Sequence, residues 1–352
     1  MDWRALYYEV VSGRRHGLPA SVLRGLLRGG EPIYQAVVGS KNRRFDSGQQ
    51  KPHKVPAPVI SVGNLTVGGT GKTPLVCWLA EWFQERGAAV TLISRGYGAQ
   101  RGRPNDEALE LAARLPDVPH VQNPDRVAAA RQALAANPRQ VLLLDDAFQH
   151  RRIARDLDIV LLDALAPFGY ERLLPRGLLR EPVEGLARAQ VVALSRADAV
   201  DEATRERVRQ RVEQLAPQAA WLELEHRPVG FVNAAGIALP LGELQGKRVA
   251  AFCGIGNPAG FRHTLHRYGL DLAGLFELSD HAAYPPAELA RIEAWLRGLG
   301  DIEAVVCTRK DLVKIPRAEL AGRPLWALDI RLEITAGRQR LEALLEPMIA
   351  KI

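Results

Sequence analysis

One stretch constrains the fold of this chain more than any other: Val59-Ile-Ser-Val-Gly-Asn-Leu-Thr66-Val67-Gly68-Gly69-Thr70-Gly71-Lys72-Thr73-Pro-Leu-Val76. A β-branched apolar run, a glycine-rich turn and an apolar helical stretch, in that order, predict a buried strand feeding a helix through a phosphate-binding loop. Glycines let such a loop curl so that successive backbone N–H groups face phosphate oxygens, and the helix N-terminus adds partial positive charge. Lys72 is expected to reach the β- and γ-phosphates of a nucleotide and Thr73 a magnesium ion. The strict pattern departs at one position, where Thr66 stands in place of the first glycine.

The surrounding sequence supplies a sheet for that loop. Short apolar runs at Val59–Val62, Ala89–Ile93, Val141–Leu144, Ile159–Leu162 and Val191–Leu194 alternate with helical stretches such as Lys72–Arg86 and Asp125–Ala135. Buried strands alternating with amphipathic helices predict an α/β fold: a mostly parallel, P-loop NTPase-like sheet with helices on both faces. The run Val141-Leu-Leu-Leu-Asp145-Asp146 delivers two carboxylates to the strand end, the edge where ligands bind in open α/β sheets. With a P-loop upstream, Asp145 and Asp146 are candidate magnesium ligands. Ser94-Arg95-Gly96-Tyr97 ends another strand at that edge, so Arg95 would meet either phosphate or a nearby carboxylate.

At 352 residues the chain exceeds what one core usually serves, and a second αβ series follows residue 235. Strand-like runs around Trp221–Val232 would form a β linker to this smaller domain. The expected division is 1–54, 55–235 and 236–352. Residues 1–54 hold ten Lys and Arg against four Asp and Glu, nearly all of the net charge of +7. A nucleic-acid footprint over the whole protein is therefore not expected. Leu6, Tyr7, Val10 and Val11, then Val22, Leu23, Leu26 and Leu27, recur at helical spacing between arginines, which suits either helices packed on the domain or docking on an anionic membrane surface. No spanning helix and no signal peptide are expected. Three well-separated cysteines, Cys77, Cys253 and Cys307, indicate neither a disulfide framework nor a zinc site.

Other features are ambiguous alone. Gly254-Ile-Gly256-Asn-Pro-Ala-Gly260 invites a dinucleotide-binding oxidoreductase, but its third glycine falls one residue late, and Pro258 at a helix start favours a plain turn. Asp106 suits the start of a helix, and His281 has the ordinary imidazole range that permits base chemistry.

Taken together, Ser61–Pro74, Ser94–Gly98, Asp145-Asp-Ala-Phe-Gln149-His150, Leu174-Pro-Arg176-Gly177, Leu179-Arg-Glu-Pro182, Phe252–Pro258 and Asp280-His281 resemble, in order, the motifs of the tetraacyldisaccharide 4'-kinase (lipid A 4'-kinase) family. The resemblance runs from about residue 20 to 335. It implies transfer of the γ-phosphoryl group of ATP, with Mg2+, to the 4'-hydroxyl of a tetraacylated glucosamine disaccharide 1-phosphate at the cytoplasmic face of the bacterial inner membrane. No obligate protein partner is implied. Thr66, Val67, Gly68, Gly69, Thr70, Gly71, Lys72 and Thr73 would hold ATP, and Thr73, Asp145 and Asp146 the metal. Arg95, Tyr97, Gln149, His150 and Arg176 would contact substrate or phosphate. Asp106 and His281, expected in different domains, would activate the acceptor hydroxyl, with Asp106 or Asp280 orienting the imidazole. Departures from the family pattern are Asn105, Ala147, Ala282 and Arg309. The alternative is a switch ATPase or GTPase whose acceptor is water and whose output goes to a protein partner.

Overall fold

The structure is a computed structural model, and it describes residues 3–96, 106–280 and 282–352. The chain divides into two compact units, the first comprising Met1–Tyr97, Leu115–Glu225 and Leu332–Ile352 and the second Gly98–Arg114 and His226–Arg331.

The first unit opens with helices α1 (Trp3–Val11) and α2 (Leu18–Asp46). It continues through β1 (Val59–Asn64), α3 (Lys72–Gln84) and β2 (Val90–Ser94); after α4 (Asp106–Arg114), which belongs to the second unit, come β3 (His120–Gln122), α5 (Arg126–Ala136), β4 (Val141–Asp145), β5 (Leu157–Asp163), β6 (Val191–Ser195), α6 (Glu202–Leu215) and β7 (Ala220–Val232). Its strands lie in the order β7-β6-β5-β1-β4-β2-β3 and every pairing is parallel. β1 is buried along its whole length, as a central parallel strand must be when both faces are covered. Val127, Ala130 and Ala133 of α5 pack on Val59, Ile93, Leu142 and Leu144, while α3 packs on β1 and β4. Because the strands are parallel, the segments after β1, β2, β4, β5 and β6 emerge at one edge.

The second unit contains α4, the later part of β7, β8 (Ala238–Pro240), β9 (Arg248–Cys253), α7 (Pro258–Arg267), β10 (Asp271–Glu277), α8 (Pro286–Gly298), β11 (Ala304–Thr308), the short α9 (Arg309–Leu312), β12 (Glu319–Leu320) and the first part of β13 (Arg323–Ala336). β10, β9, β11 and β13 pair in parallel, over a core that includes Phe252, Ile292, Val305 and Leu325. The chain ends in α10 (Arg338–Ile349), whose Leu341, Leu345 and Met348 are buried.

Several boundaries differ from those expected. The division falls at residues 225/226 rather than 235, and residues 332–352 return to the first unit. The return is made by β13, whose long alternation carries the chain back so that α10 docks, with Trp82 Nε1 of α3 donating to Glu342 Oε1 at 3.2 Å. α4 groups with the second unit, where Arg114 pairs with Asp329 at 3.6 Å and donates to the Ile330 carbonyl at 3.1 Å. Asp106 and the loop around residue 281 therefore belong to one unit, not to two. The two runs around 226–228 form one strand, because Pro228 falls between the β6 ladder, which ends at Leu224, and the β8 ladder, which begins at Gly230. Within the first unit α1 and α2 pack on the segment 175–180: Tyr7 donates to the Gly177 carbonyl at 2.6 Å and Tyr34 to the Arg180 carbonyl at 2.9 Å.

Gly63, one residue before the end of β1, is required by packing. A Cβ there would lie 2.6 Å from Phe148 Cβ and 2.8 Å from Phe148 N. Gly63→Ala is expected to cost about 1–3 kcal/mol of stability, read as a lower midpoint in urea denaturation. An unchanged midpoint would mean that β1 and the segment after β4 are not packed this closely.

Candidate active site

Gly71, in left-handed backbone at φ 82°, caps α3 so that the helix begins at Lys72 and aims its first N–H groups at the loop. The departure at Thr66 has a structural reason. Thr66 is buried and forms an antiparallel bridge with Leu179, so it is extended, and the turn is taken by Gly68 at φ 114°. Val67 N–H donates to Leu178 O at 2.8 Å and Arg180 N–H to Leu65 O at 2.7 Å, which ties the segment 178–180 alongside the start of the loop.

At the end of β4, Asp145 is buried and Asp146 takes the left-handed conformation, φ 50°, which aspartate tolerates better than most residues. Residue 146, and not 147, makes the turn, so Ala147 fits where the family has glycine. Asp146 is gripped by Arg180 at 2.6 Å and 2.9 Å in a bidentate pair, and Lys72 Nζ lies 3.5 Å from its Oδ1. Burial alone would raise the Asp146 carboxyl, but Lys72 and Arg180 override it and hold the group well below the usual carboxylate range. Asn64 Oδ1 accepts from both cations, at 3.3 Å from Lys72 and 3.3 Å from Arg180. Gln149 Nε2 donates to the Asn64 carbonyl at 2.9 Å and to Glu181 Oε1 at 2.9 Å, and Arg188 closes on Glu181 Oε2 at 2.7 Å.

A second group of cations borders this network. Arg126, the first residue of α5, is buried, and its Nε has no protein partner among the described residues. Lys41 of α2 donates to the Gln149 carbonyl at 3.1 Å; burial and the nearby Arg151, Arg95 and Arg155 lower it, against Glu181. His150 is lowered to about 4, first by burial and then by Arg126, Lys41, Arg155 and Arg152. Two of these cations are themselves paired, Arg152 with Asp125 at 3.5 Å and Arg155 with Asp158 at 3.0 Å. On the far side of the loop, Arg196 at the end of β6 pairs with Asp163 at the end of β5 and reaches the Gly69 carbonyl at 3.4 Å.

Of the residues expected at the site, the structure brings together Thr66 to Thr73, Asp145, Asp146, Gln149, His150 and Arg95 at one sheet edge. Among the described residues no hydrogen bond or ion pair joins Arg176 to that group; its loop lies against the N-terminal helices, where Pro175 would be 2.9 Å from a Cβ on Gly30. Tyr97 and His281 lie outside the described residues, and Asp106 is described only as the first residue of α4. Asn64, Arg126, Arg180, Glu181 and Arg188 were not singled out from the sequence, although Asn64, Arg180 and Glu181 lie inside the recognised motifs. A cavity of about 570 Å3 lies at the opposite sheet edge, lined by Ala89, Val90, Thr91 and Gln140, and is apart from the phosphate-binding groups.

Thr73, Asp145 and Asp146 offer only oxygen donors, the set that a hard divalent cation such as Mg2+ takes. A glycine loop, an invading lysine and two strand-end carboxylates define a P-loop phosphotransferase. Comparison with known proteins narrows the class. Residues 23–350 match the family tetraacyldisaccharide-1-P 4'-kinase, and the chain belongs to it. The tetraacyldisaccharide 4'-kinase of Anaeromyxobacter sp. (strain Fw109-5) is 36% identical over 357 residues, covering 96% of this chain and 95% of its own. That of Desulfatibacillum aliphaticivorans is 35% identical, with 92% and 91% covered. The crystal structure of LpxK from Aquifex aeolicus in complex with ATP superposes with a TM-score of 0.72 at 28% identity, covering 93% of this chain and 99% of that one. The family decides against the switch ATPase or GTPase.

With its pKa lowered to about 4, His150 is expected to stay neutral until the pH falls well below the ordinary imidazole range. An imidazole depressed on folding contributes stability that is full above its unfolded pKa of about 6.5 and is lost as pH falls from there through the folded value. NMR titration of the ring should show a midpoint near 4, and His150→Gln should flatten the acid side of the stability profile. A midpoint near 6.5 would mean that the surrounding cations are not felt.

Proposed function

We propose that this protein is an ATP-dependent kinase that phosphorylates the 4'-hydroxyl of a tetraacylated glucosamine disaccharide 1-phosphate. The observation that carries the proposal is the convergence of Lys72, Arg180 and Asp146 at the mouth of the glycine loop, in a chain of this family. The glycine loop and the α3 N-terminus hold the nucleotide phosphates. Lys72, already fixed by Asn64 and Asp146, lies where its charge can follow the transferring group. Thr73, Asp145 and Asp146 would hold Mg2+, which supplies charge neutralisation on the β- and γ-phosphoryl oxygens.

A sugar hydroxyl is a weak nucleophile, so a base must take its proton as the oxygen bonds to phosphorus and ADP leaves. That role goes to His281, oriented by Asp106 or Asp280, on the family resemblance. The cations around His150 suit an acceptor that carries its own phosphate.

Four acyl chains keep such an acceptor in a bilayer, and the enzyme must work at its surface. Among the described residues no helix is long and apolar enough to cross a membrane. On α2, however, Leu18, Val22, Leu26, Ile33 and Val37 are 60% to 83% exposed. They fall within an arc of about 100° on a helix that turns about 100° per residue. Ala20, Tyr34 and Phe45 lie on the other side, against the protein. This stripe, with the basic excess of the N-terminal segment, supports peripheral docking at the cytoplasmic face of the inner membrane.

Incubation with labelled ATP, Mg2+ and the acylated disaccharide 1-phosphate should yield a labelled glycolipid, and Lys72→Ala should lower kcat by about two to three orders of magnitude with the fold retained. Near-normal kcat in that variant would remove the P-loop assignment. Replacing Leu18, Leu26 and Val37 by Ser should reduce cosedimentation with anionic vesicles, while activity on detergent-dispersed acceptor is kept. Unchanged vesicle binding would return α2 to an ordinary surface helix.

A further inference from the structure

The turn Gly254-Ile-Gly256-Asn257 packs against a buried carboxylate of the second unit. Asp311, at the third position of α9, is completely buried. Its Oδ1 accepts from Gly254 N–H at 3.1 Å and from the Tyr284 hydroxyl at 2.7 Å, and its Oδ2 accepts from the Thr308 hydroxyl at 2.6 Å. Lys314 Nζ donates to the Ala282 carbonyl at 3.0 Å, Ala282 N–H to Ser279 O at 3.0 Å and Leu278 N–H to Cys253 O at 2.9 Å. The loop 278–284 is thus fastened at both ends and at residue 282.

Gly254 makes room for this arrangement. A Cβ on Gly254 would meet Ala282 Cβ at 3.0 Å, Ser279 O at 3.2 Å and Asp311 Oδ1 at 3.2 Å; one on Gly256 would lie 3.7 Å from Asp280 Oδ2. Gly254 is thus required by close packing against Ser279, Ala282 and Asp311, whereas at Gly256 a Cβ would make only an ordinary contact.

A buried carboxylate is costly unless several donors satisfy it, and an apolar side chain of similar size would generally hold a core as well. What such a network provides is fixed geometry. Two of the three bonds to Asp311 end outside its own helix start, one on the glycine turn and one on Tyr284 at the end of the loop. The Tyr284 phenol is pushed far up, by burial first and by Asp311 second, so it remains a donor wherever the protein is folded.

We propose that Asp311 and Tyr284 are positioning residues for phosphoryl transfer, acting through the loop 278–284 by fixing Ser279 and Ala282, which flank the assigned base in sequence. The proposal rests on the assignment of His281 as the base. Tyr284→Phe in the full chain keeps the ring and removes one bond. It should lower kcat about tenfold, the rate equivalent of a lost hydrogen bond to a charged acceptor, while KM for ATP stays within about twofold. In a His281→Ala background the same change should alter the residual kcat by less than about twofold, since a base that is absent cannot be misplaced. Asp311→Asn should repeat the pattern; if it fails to fold, Tyr284→Phe decides.

A Tyr284→Phe enzyme that melts earlier but keeps wild-type kcat per folded molecule overturns the proposal, as do losses that multiply in the double variant. Wild-type kcat in His281→Ala alone overturns the base assignment instead. A strongly impaired His281→Ala beside a fully active Tyr284→Phe overturns positioning alone.

Discussion

The first unit is organised around one carboxylate held in an awkward place. Asp146 sits in left-handed backbone at the end of β4, where its side chain draws Lys72 and Arg180 to the same point. From Arg180 the constraint spreads along the chain: its backbone bonds to Leu65, its neighbour Glu181 receives Gln149 and Arg188, and its carbonyl receives Tyr34 of α2. The glycine loop, the end of β4, the segment 173–182 and the N-terminal helix are therefore parts of one hydrogen-bonded body. Neutralising Asp146 would leave two cations facing each other across Asn64, with no anion between them.

Charge balance explains the other half of the site. Arg126, Lys41, Arg152 and Arg155 lie around His150, each with a carboxylate of its own nearby; burial first and these cations second lower the imidazole, and burial first lowers Lys41. A nucleoside triphosphate with a phosphorylated acceptor would add several negative charges to this mixed field. Compared with a plain solvated basic face, the distinguishing feature is burial: Arg126 is 2% exposed, and Asp146 and Asp145 oppose the lowering that burial imposes on it.

Much of this was legible in the sequence because it depends on local pattern. Strand, glycine turn and helix at 59–76 occur where the apolar period and the glycines put them, and Asp145 and Asp146 reach the expected edge because parallel strands share one. Arg180 and Glu181 were legible only as part of a motif, since apart from Arg188 their partners lie more than 30 positions away and no spacing rule connects them. The return of residues 332–352 to the first unit was likewise hidden. β13 reads as an ordinary alternating strand, and only tertiary contacts show which unit its end joins. α4 misled for the converse reason: its position between β2 and β3 suggests the first unit, but Arg114 and Asp329 draw it to the second.

The N-terminal helix shows how the proposed surface and the chemistry can share a support. Along one face of α2, Glu31 accepts from Leu173 N–H at 3.0 Å, Tyr34 donates to Arg180 O, Lys41 to Gln149 O and Asn42 to Glu181 at 3.4 Å. Along the other face runs the apolar stripe from Leu18 to Val37. A helix that served only as an anchor would need no such bonds, and one that served only the site would bury or dilute its leucines and valines. Because the inner bonds fall on the residues that hold Asp146 and its partners, an acceptor drawn to the outer face would meet the phosphate-binding edge without a flexible linker between them. Placement would then come from the length and rigidity of one helix, which is how effective concentration is raised when a substrate cannot leave its bilayer.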